Sequence, residues 1–261
     1  YVLDGNAYFF SATEIVRRIF HLPETGATVV AIGYPPARHV LDPHRSADFT
    51  SPSSTYEPVL GKDGRPLTVE YGGAKEFLEV VEGEIMPLVS RETFPNVTLG
   101  PRALFGHSYG GLFTLHALFA RPNLFNTFIA GSPSIWWNGK RILELETEFR
   151  AGRRRTGDVA IAASERRPQL FVMYGSEEQL PRKTKGESEE SFEERIKYAA
   201  ERGLKDSAVG VCRRLLDSGL LRKVWLQEFL DESHGSVAIC ELSRGTVQFL
   251  ESCVDESEIP A

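Results

Sequence analysis

Short apolar runs alternate with amphipathic stretches along most of the chain, and that alternation restricts the architecture strongly. Thr28-Val-Val-Ala-Ile-Gly33 is a continuous apolar run closed by glycine, as a strand buried on both faces would be. Arg102 to Ser108, Thr127 to Ala130, Leu170 to Tyr174 and Val224 to Phe229 read the same way. Between them the apolar residues fall at helical spacing. Phe9, Ala12, Ile15, Val16, Ile19 and Phe20 predict a first helix, and a second spans about Ala74 to Val89 with Phe77, Leu78, Val81, Ile85 and Leu88 on one face. Leu112, Leu115 and Phe119 give the stripe of a third. A long helical region runs from about Phe192 to Leu216, and a final helix from about Val237 to Leu250. Strands alternating with helices predict an α/β fold with a mostly parallel sheet covered on both faces. Residues 35 to 70, with many Pro, Ser and Gly, predict a long loop.

Composition narrows the class further. The 261 residues fit one domain, with a densely charged stretch at about 180–205 as a solvated insertion or lid. A net charge of −6 argues against a nucleic-acid partner, and no apolar run approaches the roughly 18 residues of a membrane span. Cys212, Cys240 and Cys253 have neither zinc-ligand spacing nor the density of a disulfide scaffold, which favours a reducing, cytoplasmic setting. No metal-ligand spacing or phosphate-binding glycine loop is present, so no cofactor is expected. Tyr1-Val-Leu-Asp-Gly-Asn6 reads as the end of a buried strand entering a turn, as if the chain began in mid-fold with earlier strands truncated.

Gly106-His-Ser-Tyr-Gly-Gly111 fits G-x-S-x-G between an apolar strand and a helix. Glycines there permit the strained turn that lifts a serine hydroxyl above the sheet edge, which makes Ser108 a candidate nucleophile. A serine needs a base, and in this architecture the order is Ser, then acid, then His. Of the six histidines only His234, in the polar loop Asp231-Glu-Ser-His-Gly235, follows both the serine and a plausible acid. The strand ending at Tyr174 runs into Gly175-Ser-Glu-Glu-Gln179 at the carboxyl edge of the sheet. Glu178 is the expected acid, because a G-x-x-acid turn points its fourth residue back toward the histidine loop. Glu177 is its near rival, and Asp231 and Glu232 are more distant ones. Backbone amides of Tyr109 and Asn6 are the expected oxyanion donors, with Gly33-Tyr34 as the alternative to Asn6.

These residues resemble the putative-esterase (esterase D-like) branch of the α/β-hydrolases. Val-Ala-Ile-Gly-Tyr-Pro at 30–35, Ser-Pro-Ser-Ile-Trp-Trp-Asn at 132–138 and His-Gly-Ser-Val at 234–237 extend the likeness over nearly the whole chain. Within the branch the combination is most similar to esterases that open trilactone siderophores of the enterobactin or fusarinine type. The resemblance implies an α/β-hydrolase fold, Ser108 as nucleophile, His234 as base and Glu178 where the branch has its glutamate, although some members are described as working with a Ser–His pair. It also implies Arg45-Ser-Ala-Asp48-Phe-Thr-Ser-Pro52 as a counterpart of an Arg-x-x-Asp-aromatic-Thr-Pro segment, with one extra residue before the proline.

Trp136 and Trp137 are candidates for an apolar wall beside the serine, or for one core and one loop-packing residue. Arg45 is a candidate contact for an oxygen-rich substrate, or a structural partner of Asp48. Arg150 with Arg153, Arg154 and Arg155 reads as a solvated face. The expected activity is serine-dependent hydrolysis of a siderophore ester, with iron belonging to the small-molecule substrate. Other esters (formylglutathione, feruloyl, acetyl), acyl transfer and a non-catalytic binding module are the alternatives.

Overall fold

The computed structural model describes residues 1–19, 26–35, 40–60, 65–152 and 167–257, with side chains up to 253 in the last segment. Phe20 and Arg153–Arg155 lie outside the described residues. The sheet contains β1 (Ala103–His107), β2 (Thr127–Gly131), β3 (Gln169–Gly175) and β4 (Lys223–Phe229), hydrogen-bonded in that order and all parallel. Register pairs His107 with Gly131, Gly131 with Met173 and Gly175 with Phe229, so the carboxyl ends of all four strands lie along one edge.

Side-chain alternation divides the core in two. Leu104, Phe128, Ala130, Leu170 and Val172 face one layer, with α3 (Ala74–Val80), α4 (Tyr109–Ala120), α6 (Ile142–Arg150) and α8 (Leu204–Ser218). Ala103, Phe105, Ile129, Phe171 and Met173 face the other, with α1 (Gly5–Ile19) and α9 (Val237–Ser257). Helices on both faces are the expected consequence of strands β1 to β3, which are mostly apolar and buried at every position, whereas β4 at the edge is only partly buried.

Several elements differ from the sequence-based expectation. Tyr1–Leu3 lies parallel to β1, but only Val2 bridges, to Ala31 and Phe105, because the chain turns at Asp4 (φ 52°) directly into α1. Thr28–Gly33 is accordingly reduced to the single bridge at Ala31. The helix begun by α3 continues through π-helical turns at Val81–Ile85 and Leu88–Thr93, past the predicted end. The helical region 192–216 is two helices, α7 (Glu189–Arg202) and α8, divided by Gly203 in the left-handed conformation. That position suits glycine because it lacks a Cβ. Short helices α2 (Arg45–Asp48) and α5 (Trp137–Lys140) give no periodic signal at four residues each. α4 carries no single stripe, since Gly110 to Phe119 are all buried; it is the central helix beneath the sheet.

His116, on α4, is 3% exposed, with its Nδ1 2.9 Å from Ser51 Oγ. Burial lowers its pKa from 6.5 to about 4, so the folded protein holds it neutral. A histidine with a depressed folded pKa contributes stability that is complete above its unfolded value near 6.5. That contribution is lost as pH falls toward 4, by at most about 1.4 kcal/mol per pH unit. Urea midpoints measured between pH 6.5 and 5 are expected to fall, and His116→Asn, which keeps a polar atom near Ser51, is expected to flatten that slope.

Candidate active site

Each strand delivers one polar side chain at the carboxyl edge. β1 is followed at once by Ser108 (φ 61°, ψ −115°), a backbone conformation unfavourable for a residue with a Cβ. Two surroundings enforce the turn. Ser108 N–H donates to Gly131 O (2.9 Å), and a Cβ on Gly106 would run into the Gly110 carbonyl. After β2 comes Ser132 (φ 40°), whose N–H donates to Met173 O at 2.7 Å. β3 runs into a 3-10 turn, Ser176–Glu178, and β4 is followed by Asp231 (φ 64°) and the loop that carries His234.

These ends converge on one row. Ser108 Oγ lies 3.0 Å from His234 Nε2, and His234 Nδ1 lies 2.5 Å from Glu178 Oε2. Glu178 Oε1 accepts from Gly175 N–H at 2.8 Å and lies 2.5 Å from Ser132 Oγ. Burial pushes the Glu178 carboxyl upward, but the bond and charge of His234 and the donors Ser132 and Gly175 together hold it below the ordinary carboxylate range. It is therefore an anion aligned with the imidazole. Glu177 points elsewhere: its backbone N–H donates to Glu232 O (3.0 Å) and its carboxylate pairs with Arg182 at 3.3 Å. Asp231 pairs with the same arginine.

Asn6 and Tyr109 both stand in the first turn of a helix, where backbone N–H groups have no intrahelical partner. The two helix starts are adjacent, since Leu3 N–H donates to Phe105 O (2.9 Å) and Asp4 lies beside Gly110. The Asn6 side chain clamps Tyr34, accepting from its N–H at 2.7 Å and donating to its carbonyl at 3.0 Å. Gly33-Tyr34 thus braces Asn6.

Two expected substrate contacts are corrected. Arg45 donates to Asp4 Oδ1 (2.7 Å) and Oδ2 (2.8 Å) with only 11% of its side chain exposed, so its guanidinium is committed to a buried carboxylate. Asp48, its supposed partner, accepts instead from the Tyr34 hydroxyl at 2.7 Å. Trp137 is 1% exposed and packs against Tyr56 and Tyr71, which makes it core. Trp136 is half-buried, with its ring 6.3 Å from that of Tyr109.

Three features escaped sequence reasoning. The Arg202 guanidinium lies 3.8 Å from the Trp136 ring centroid and 3.9 Å from that of Tyr198, and burial lowers its pKa to about 10. Ser132 and Glu241 lie behind Glu178, their oxygens 2.7 Å apart. The available signal was Glu241 itself, a carboxylate on the apolar face of the last helix beside Ala238 and Leu242. Among the described residues no three His, Cys, Asp or Glu side chains are grouped to hold a metal ion.

The all-parallel strand order and the serine elbow place the protein among the α/β-hydrolases. Within that class it belongs to the putative esterase family, whose model matches residues 1–230. A siderophore enterobactin esterase of Emericella nidulans is 44% identical over 254 residues, covering 97% of this chain and 81% of the relative. A siderophore triacetylfusarinine C esterase of Aspergillus fumigatus is 38% identical, covering 96% and 80%. The solved siderophore hydrolase EstA from Aspergillus nidulans superposes with a TM-score of 0.88 at 43% identity, covering 97% of this chain and 82% of that one. The chain is accordingly a carboxylic-ester hydrolase.

Proposed function

We propose that this esterase hydrolyses the ester bonds of a ferric trilactone siderophore, using Ser108 as nucleophile, His234 as general base and Glu178 as the acid that orients it. The carrying observation is the continuous row from Ser108 Oγ through His234 to Glu178, at 3.0 and 2.5 Å, in a chain whose relatives are named for siderophore hydrolysis. His234 Nε2 takes the serine proton as Oγ attacks the ester carbonyl, and the imidazolium formed is stabilised by the Glu178 anion. Negative charge develops on the former carbonyl oxygen, where the amides of Asn6 and Tyr109 serve as donors. The imidazolium then protonates the leaving alkoxide, an acyl-serine forms, and water deprotonated by His234 releases the acid.

Substrate choice follows from the cluster beside Tyr109, the residue after the serine. Trp136, Tyr198 and Arg202 form an aromatic and cationic wall, suited to planar rings and oxygen-rich anions. Residues 180–205 enter this reading as the edge of the site, because α7 carries both Tyr198 and Arg202. The proposal treats the chain as one catalytic domain working in the cytoplasm, in keeping with its sparse cysteines. No helix among the described residues is long and apolar enough to cross a membrane.

Comparing kcat/KM for a ferric trilactone siderophore with short nitrophenyl, feruloyl and formylglutathione esters tests the substrate class. A preference of at least about a hundredfold, or roughly 2.7 kcal/mol of differential transition-state binding, is expected for the siderophore. Equal or greater efficiency on the small esters would defeat it.

A further inference from the structure

Behind the Ser108–His234–Glu178 row lies a second, deeper chain of polar groups. Ser132 Oγ sits between two carboxyl groups, 2.5 Å from Glu178 Oε1 and 2.7 Å from Glu241 Oε1. Glu241 Oε2 is 2.7 Å from His107 Nδ1. All of Glu241 is out of solvent (0% exposed), and His107 is 5% exposed. The fit is close, for a Cβ on Gly131 would run into the Glu241 carboxyl.

Proton counting decides the arrangement. A hydroxyl has one proton to donate, yet Ser132 Oγ is at hydrogen-bond distance from two carboxyl oxygens. One of the two carboxyl groups must therefore hold a proton and donate it to Ser132. Glu178 already receives Gly175 N–H and faces His234 Nδ1, a donor set suited to a carboxylate. The proton belongs on Glu241.

We propose that Glu241 is a positioning residue, a neutral carboxylic acid whose proton on Oε1 goes to Ser132 Oγ and so turns the Ser132 proton onto Glu178. This rests on the reading of Ser108, His234 and Glu178 given above. His107, as the neutral Nδ1–H tautomer, donates to Glu241 Oε2, and each acceptor from Glu241 through Glu178 to His234 then faces a donor. An ionised Glu241 would instead compete for the Ser132 proton and place a second anion behind Glu178. Burial first, then the charge of Glu178, pushes the Glu241 carboxyl well up, and burial holds the His107 pKa down at about 3. The other titratable and charged groups facing this region are His234, the Tyr8 hydroxyl of α1, Cys240 of α9 and the Asp4–Arg45 pair, whose guanidinium donates to the His107 carbonyl.

Glu241→Gln separates a neutral acid from a buried charge, because a carboxamide can donate to Ser132 and accept from His107. Its kcat/KM is expected within about threefold of wild type, with the acidic limb of the pH profile unmoved. The carbonyl infrared band of a protonated carboxyl group, present in wild type at neutral pH, should be missing from the variant. Glu241→Leu should lower kcat about tenfold at unchanged KM, the loss of one hydrogen bond's orienting effect. If that variant does not fold, Ser132→Ala should show the same kcat loss. An acidic limb shifted down by a unit in Glu241→Gln, no infrared band in wild type, or full kcat in both truncations would overturn the proposal. Activity persisting in Ser108→Ala would instead overturn the reading of the site, which is a separate outcome.

Discussion

Ser108→Ala is expected to lower kcat on the siderophore ester by roughly 10⁴- to 10⁶-fold, the loss seen when a nucleophilic serine is removed from a hydrolase. The fold should not change. Among the described residues the Ser108 Oγ hydrogen-bonding partners are His234 (3.0 Å) and Ser134 (3.4 Å), and the φ of 61° strains alanine no more than serine. Thermal unfolding should therefore superpose on wild type while turnover disappears. Covalent labelling by a fluorophosphonate, read as a mass increase of the intact chain, should vanish in the same variant. A residual kcat above about 1% of wild type would contradict nucleophilic attack by this serine.

The second large effect is on stability. Arg45→Met should destabilise the protein by about 3–5 kcal/mol, because it strands Asp4, whose side chain is 1% exposed, as an unpaired buried charge. Asp4 closes the turn into α1, accepting from Ala7 N–H through its backbone carbonyl at 2.8 Å, so the damage reaches the Asn6 amide as well. Arg45 also packs over the Phe49 and Tyr109 rings and donates to His107 O at 3.3 Å. The double variant Arg45→Met/Asp4→Asn removes both charges and keeps a side chain tolerant of positive φ; it should recover a large part of the loss. Denaturant midpoints of wild type, the two single variants and the double variant measure this coupling. A single-variant loss below about 1 kcal/mol would show the pair to be no anchor.

What was legible in the sequence is what repeats or lies close by. The strands of the sheet announce themselves as apolar runs, and the glycines of 106–111 mark the elbow because backbone crowding there admits no other residue at Gly106. The order of serine, acid and histidine singled out His234, which the fold brings to Ser108 across 126 residues. Partners fixed by tertiary contact left no such mark. Arg45 was set against Asp48, three residues on, whereas its partner Asp4 is 41 residues away and is brought near by Tyr1–Leu3 lying along β1. Trp136 and Trp137 are adjacent in sequence, yet one lies half-buried beside Tyr109 and the other fills the core, because the short turn into α5 sends them opposite ways. Glu241 breaks an apolar helix face, and only the ends of β1 and β2 show what that carboxyl meets.

The most direct test of the account is product analysis by mass spectrometry after incubating the protein with one ferric trilactone siderophore. Stepwise gain of one water per opened ester, giving linear trimer, dimer and monomer acids, and no products with Ser108→Ala, is the result predicted. An intact trilactone after prolonged incubation with protein that still labels at Ser108 would contradict it.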